Sequence, residues 1–140
     1  MPKANNSYKF VVLVVEDELL IRDCIVSYLR DAGCLVLEAP SGEHAIEMLD
    51  SARPIDVVFT DIRLGGPLNG WDVGEACRSK WNDIAVIYTS GYSIAPARNV
   101  PGSVFLNKPY SSEQVLESCQ DLCKVGLSRS PSSARWIEGK

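Results

Sequence analysis

The stretch Lys9-Phe10-Val11-Val12-Leu13-Val14-Val15-Glu16-Asp17-Glu18 decides how the rest of the chain is read. A strand with one wet face alternates polar and apolar side chains. The run Lys9–Val15 does not alternate, so it predicts a strand buried on both faces, as in a parallel sheet covered by helices. It ends abruptly in three acids. Outward from it the same pattern repeats. Glu18–Ala32 carries Ile21, Ile25, Tyr28 and Leu29 at helical spacing, and Gly33 stands where a helix needs a left-handed terminating residue. Cys34–Leu37 is a second strand. Ser41 caps a helix with Ala45, Met48 and Leu49 on one face, and Pro54 stops its continuation. Ile55–Thr60 is a third strand. The turn-rich 64–70 precedes a helix carrying Val73, Ala76, Cys77 and Trp81. Ile84–Thr89 and Val104–Leu106 are the fourth and fifth strands. Ser111 opens a capping box with Gln114, ahead of a helix that buries Val115, Leu116, Cys119, Leu122 and Cys123.

The order β-α-β-α-β-α-β-x-β-α predicts an α/β fold, a doubly wound five-stranded parallel sheet with helices on both faces. The element x is broken by Gly91, Pro96, Pro101 and Gly102. A fourth helix is therefore expected to be short or absent, with a mobile loop over Tyr92–Pro101. At 140 residues the chain is read as one domain, residues 9–124, with an N-terminal extension 1–8 and a flexible tail 125–140.

Composition excludes several classes. Apolar residues are 46% and charged residues 23%, the globular norm. The net charge of −4, with no basic cluster, argues against direct nucleic-acid binding. The longest apolar run, Phe10–Val15, is far below the roughly 20 residues of a membrane span, and no signal peptide is evident. A cytoplasmic protein without membrane contact is expected, a monomer or weak dimer. The five cysteines are odd in number, scattered and set in apolar patterns, so they are read as buried thiols rather than a zinc site. His44, the one histidine, is read as a solvated surface residue. Trp71 and Trp81 are read as partial core packing, and Tyr92 and Tyr110 stay open between packing and partner contact.

Ligands of open parallel sheets bind beyond the carboxyl ends of the strands. There the sequence places Glu16, Asp17 and Glu18, then Asp61, then Thr89 and Ser90, then Lys108 before Pro109. Each alone has an ordinary explanation as a cap or turn residue. Four polar strand ends on one rim do not share one. Three carboxylates crowded together repel, and a hard divalent cation such as magnesium relieves them. Asp61 could then act as a nucleophile toward a phosphoryl group, with the metal, Lys108 and Ser90 neutralising its oxygens.

The set Glu16-Asp17, Asp61, Ser90-Gly91 and Lys108-Pro109, in that order, resembles the receiver domain of two-component response regulators. The resemblance covers about residues 9–124. It implies the flavodoxin-like strand order 2-1-3-4-5, Asp61 as phosphoacceptor, and Mg2+ held by Glu16, Asp17, Asp61 and the Arg63 backbone carbonyl. It also implies Ser90 as switch hydroxyl, Phe105 as switch aromatic, and Lys108 as the family's lysine, whose bond to Pro109 is typically cis. Tyr88-Thr89-Ser90-Gly91-Tyr92 resembles a single-domain subgroup with a reduced fourth helix. The loop Ile62–Pro67 departs from the common pattern and reads as longer than usual. The function implied is a stand-alone receiver, phosphorylated by a histidine kinase or phosphotransfer protein and signalling through an unidentified downstream protein. An aspartate-nucleophile phosphohydrolase typically wants a second aspartate two residues after the first, where this chain has Arg63. A flavodoxin-like cofactor carrier wants a neutral or basic first loop, and Glu16-Asp17-Glu18 would repel a phosphate. A receiver cut from a hybrid kinase is the remaining alternative.

Overall fold

A computed structural model describes residues 8–50, 54–91 and 98–128. The expected extension 1–8, tail 125–140 and loop Tyr92–Pro101, with Tyr92 and Pro96, fall wholly or partly outside them. The valine run forms β1 (Val11–Val15) and is followed by α1 (Leu19–Asp31), β2 (Leu35–Ala39) and α2 (Gly42–Met48). Then come β3 (Val57–Asp61), α3 (Gly70–Lys80), β4 (Ala85–Ser90), β5 (Val104–Asn107) and α4 (Ser112–Ser128). All strand pairs are parallel, as the apolar runs predict, and the order is β2-β1-β3-β4-β5, as the resemblance implies. Val12 pairs with both Val36 and Val57, which puts β1 in the interior of the sheet and explains why its run is apolar throughout.

Alternation along the strands sorts the core into two layers. Val12, Val14, Val57, Phe59 and Ile87 meet Ile25, Val26 and Leu29 of α1 and Val115, Cys119 and Cys123 of α4. Leu13, Val15, Val58, Val86 and Tyr88 meet Ala45 of α2 and Trp71, Val73 and Cys77 of α3. Gly33 ends α1 with φ +98°: its N–H bonds Arg30 O at 3.0 Å and the Cys34 N–H bonds Leu29 O at 3.1 Å. That double closure needs a left-handed residue, which glycine supplies without a Cβ penalty. The Ser111–Gln114 capping box is present at 2.8 and 3.1 Å.

Three expectations need correction. Asp61 and Ser90 are the last residues of β3 and β4 rather than the first beyond them, because parallel pairing runs on into the polar residues (Asp61 with Thr89, Ser90 with Asn107). The buried stripe of α1 is Ile25, Val26 and Leu29, and Tyr28 is 38% exposed. The same rotation leaves Cys24 exposed, while Cys34, Cys77, Cys119 and Cys123 are buried as expected. His44 is exposed, Trp71 is buried and Trp81 is half-buried.

Among the described residues no helix lies between β4 and β5. Residues 98–101 are instead strapped to α3. The Arg98 guanidinium donates to Asp72 Oδ1 at 2.8 Å and to Glu75 Oε1 at 2.7 Å. Arg78 Nη1 donates to Pro101 O at 2.7 Å, and the Val100 N–H donates to the buried Tyr88 hydroxyl at 3.2 Å. The Tyr88 ring lies 4.7 Å from Trp71 and fills the space that a side chain at Gly74 would need.

Candidate functional site

Parallel strands that end level bring their last residues to one rim. Glu16 continues β1 by one residue and is fully buried, Asp61 closes β3 at 5% exposure, and Asp17 is exposed. Each offers an oxygen within 4.8 Å of the others. Lys108 follows β5, its N–H bonded to Ser90 O at 3.0 Å. Its ammonium reaches Asp61 Oδ2 at 3.0 Å and lies 4.0 Å from Glu16 Oε1. The Lys108–Pro109 peptide is cis, as the resemblance implies.

One ammonium does not balance three carboxylates. Burial pushes Glu16 up to about 7; the Glu18 N–H on its Oε2 at 3.1 Å offsets part of this and the Asp61 charge adds to it. Burial also raises Asp61, outweighing its bond to Lys108 and a hydrogen bond from the Arg63 backbone. Burial pulls Lys108 down, but the Asp61 bond and the facing carboxylates outweigh it and leave Lys108 net above its ordinary value. Glu16 Oε1 has no hydrogen-bond partner among the described residues. A hard divalent cation would relieve this strain, and all three side chains offer hard oxygen donors. The residues present therefore fit magnesium.

The loop 62–69 is closed at its base. The Ile62 N–H bonds Thr89 O at 2.9 Å and the Gly70 N–H bonds Ile62 O at 2.8 Å. Gly70 lies so close to the Asp61 carbonyl that a Cβ there would overlap it. Glycine thus lets α3 begin directly against the end of β3. Asn69 and Asp72 cap that helix reciprocally at 3.0 and 2.8 Å, a box legible as Asn-x-x-Asp but not singled out from the sequence. Above it, Gly65 approaches Asp17 closely; a Cβ there would stand 3.4 Å from Asp17 Oδ2.

Of the sequence-predicted residues, Glu16, Asp17, Asp61 and Lys108 are brought together. Ser90 is 2% exposed, one residue past the Thr89 that pairs with Asp61. Phe105 stands apart from the acids, half-buried beside Tyr88 on the α2/α3 side of the sheet. Arg63 is exposed in the loop. Sequence reasoning set Thr89 on the rim without a role of its own and left Tyr110 open, and both carry buried hydroxyls without hydrogen-bond partners among the described residues.

The chain has the flavodoxin-like fold, a doubly wound parallel sheet with an acid cluster and a lysine on the carboxyl rim where ligands of such sheets bind. The profile of the response regulator receiver domain matches residues 12–120, and the chain belongs to that family. A crystal structure of a response regulator receiver protein from Sinorhizobium medicae is 38% identical, with a TM-score of 0.75 over 82% of this chain and 94% of that one. The sensor kinase CckA of Brucella abortus is 34% identical over 79% of this chain and 12% of its own length. A protein of Picosynechococcus named as a probable transcriptional regulatory protein is 32% identical over 86% of this chain and 52% of its own. The chain thus spans about half of the latter and a small part of the former. The response regulator TrrA of Thermotoga maritima, solved in complex with Mg(2+)-BeF, is 25% identical, with a TM-score of 0.72 over 81% of this chain and 98% of that one.

Proposed function

We propose that the chain is a phosphorylation-controlled interaction module in which Asp61 accepts a phosphoryl group from a histidine kinase or phosphotransfer protein. The observation that carries this reading is the 3.0 Å bond from Lys108 to Asp61 Oδ2 within a cluster of three carboxylates. An Asp61 carboxylate oxygen forms the new O–P bond as the P–N bond of the donor phosphohistidine breaks, and the imidazole, already protonated on its other ring nitrogen, leaves neutral. Glu16, Asp17, Asp61 and the Arg63 carbonyl would hold Mg2+. Bound there, magnesium neutralises charge on the phosphoryl oxygens. Lys108, a compact ammonium on a flexible stem, pairs with Asp61 at rest and with the phosphoryl group afterwards. Ser90 is the switch hydroxyl that meets the new anion, and Phe105 the switch aromatic that follows it.

The activity beyond this self-limited phosphorylation and dephosphorylation is none; the output is a docking surface for a downstream protein. A cytoplasmic monomer or weak dimer without nucleic-acid contact completes the reading; the acidic net charge supports the last of these. Among the described residues no helix is long and apolar enough to cross a membrane. The test is acetyl phosphate with magnesium, read by mass spectrometry. One acid-labile phosphoryl group is expected on the wild type and none on Asp61→Asn; equal labelling of both overturns the assignment.

A second reading is favoured by the likeness to CckA, a sensor kinase of which this chain matches a small part. There the same domain would work within a hybrid kinase. The size of the native polypeptide on an immunoblot separates the two.

A further inference from the structure

The acid-rich turn Glu16-Asp17-Glu18 joins β1 to α1. The Glu16 N–H bonds Ala39 O at 3.1 Å, just past the last ladder pairs of β1, and the Glu18 N–H bonds Glu16 Oε2 at 3.1 Å. Glu18 is the N-cap residue of α1, but its side chain makes no capping hydrogen bond. The turn carries two of the three clustered carboxylates, whose mutual repulsion works to spread it. A further tie comes from one turn into the helix. Helical side chains lean toward the N-terminus, so Arg22 reaches back over the turn. Its Nη1 donates to Glu16 O at 2.8 Å and its Nε to Glu38 Oε1 at 3.1 Å, with the side chain 14% exposed. Glu38 belongs to β2, where it pairs with Val14. One planar fork therefore joins α1, the end of β1 and β2.

We propose that Arg22 is a positioning residue for the metal site: it grips the Glu16 carbonyl and so sets Glu16 and Asp17 at the rim before a cation arrives. The second bond of the fork gives the grip its direction. A guanidinium bonded to the backbone of an acid-rich turn could swing into the carboxylates and take the place of the cation. Its carboxylate partner is instead Glu38, whose other oxygen lies 3.7 Å from Arg30. Arg30 is itself tied to β2 through Val36 O at 2.9 Å. The ion pairs of the cluster itself are those of Lys108, with Asp61 at 3.0 Å and Glu16 at 4.0 Å. Arg22 thus orders the turn from behind and leaves its carboxylates open to a metal.

The proposal rests on the reading of Glu16 and Asp17 as magnesium ligands. Two effects of Arg22 pull magnesium affinity in opposite directions, so the sign decides. As a nearby cation it repels magnesium, and its removal would tighten binding. As a positioning residue it preorganises the ligands, and its removal loosens binding. Arg22→Met keeps the stem and removes the fork. Magnesium, titrated by NMR into the full chain, is expected to bind about tenfold more weakly, as when a ligating residue loses its outer-shell partner. Arg22→Lys keeps the charge without the fork and should fall between the two. In the metal-free protein, the Glu18 amide should exchange faster in Arg22→Met, because Glu16 Oε2 is no longer held under it, while the Val100 amide on the Tyr88 hydroxyl keeps its rate. Unchanged or tighter magnesium binding in Arg22→Met overturns the proposal. So does a Glu18 amide that exchanges as in wild type, or a Val100 amide that quickens equally. If Arg22→Met does not fold, Arg22→Lys must still weaken binding, and wild-type affinity there is equally decisive. Wild-type protein that binds no magnesium would refute the metal reading alone, since the metal-free exchange arm still reads the grip on Glu16.

Discussion

The rim around Asp61 and the strap between α3 and residues 98–101 are both made of charged side chains, in opposite senses. On the rim, three carboxylates crowd around one ammonium and burial raises both Glu16 and Asp61. On the strap, Arg98 lies between two acids near the surface, and its hydrogen bond, with that of the Asn69 backbone, holds Asp72 below its ordinary value. The rim is frustrated and the strap is satisfied. A group strained at rest gains most when a cation or anion arrives, so the frustrated region is where binding can do work. The satisfied one resists change and suits a structural tie.

The largest expected effect comes from disturbing the rim's floor. Gly70→Ala should cost about 3 kcal/mol, because a methyl group there meets the Asp61 carbonyl and the Ile62 backbone. Chemical denaturation of the metal-free protein measures it, and a neutral result would mean α3 can back away from β3. Next is Glu16→Gln. It should stabilise the metal-free protein at pH 8 by about 3 kcal/mol at most, from a folded value of about 7 against an ordinary 4.5, and weaken magnesium binding. The sign has a pH signature. A raised acid favours the fold when protonated, so its stabilising contribution is complete below about pH 4.5 and is lost as pH climbs through about 7. Asp17, Asp61, Glu18, Lys108 and Tyr110 face Glu16. Saturating magnesium should abolish the decline. On the strap the sign reverses: Asp72 is lowered, so its contribution is lost as pH falls through the acid range.

Two of the strap's bonds, Val100 to Tyr88 and Arg98 to the acids of α3, differ in kind. Tyr88→Phe leaves the Val100 N–H without its partner and should cost about 1–2 kcal/mol with little salt dependence. Arg98→Ala, at an exposed ion pair, should have the smallest effect of the set, and that effect should vanish in 1 M salt. If Arg98→Ala outweighs Tyr88→Phe at high salt, the contrast between the two regions fails.

The rim was far more legible in the sequence than the strap. Buried parallel strands announce themselves as apolar runs, and the polar residue that ends each run falls on the rim by topology alone. That is why Glu16, Asp17, Asp61 and Lys108 could be grouped before any coordinates. The strand ends were read short because Asp61 and Ser90 are polar, whereas backbone pairing is indifferent to side-chain polarity. The strap joins Arg98 to Asp72 and Glu75, and Pro101 to Arg78, across gaps no local pattern encodes. The α1 face was read one position off because Tyr28 and Val26 both suit a helical stripe, and packing against α4 and the sheet selects Val26.

The rotation of α1 that exposes Cys24 gives the five thiols two kinds of redox chemistry. Burial raises Cys34, Cys77, Cys119 and Cys123, with Cys77 and Cys123 pushed up to about 12. The thiolate is the reactive form, so those four are inert while the fold holds. An oxidant therefore meets Cys24 first, whereas loss of the fold releases the four thiols that burial protects.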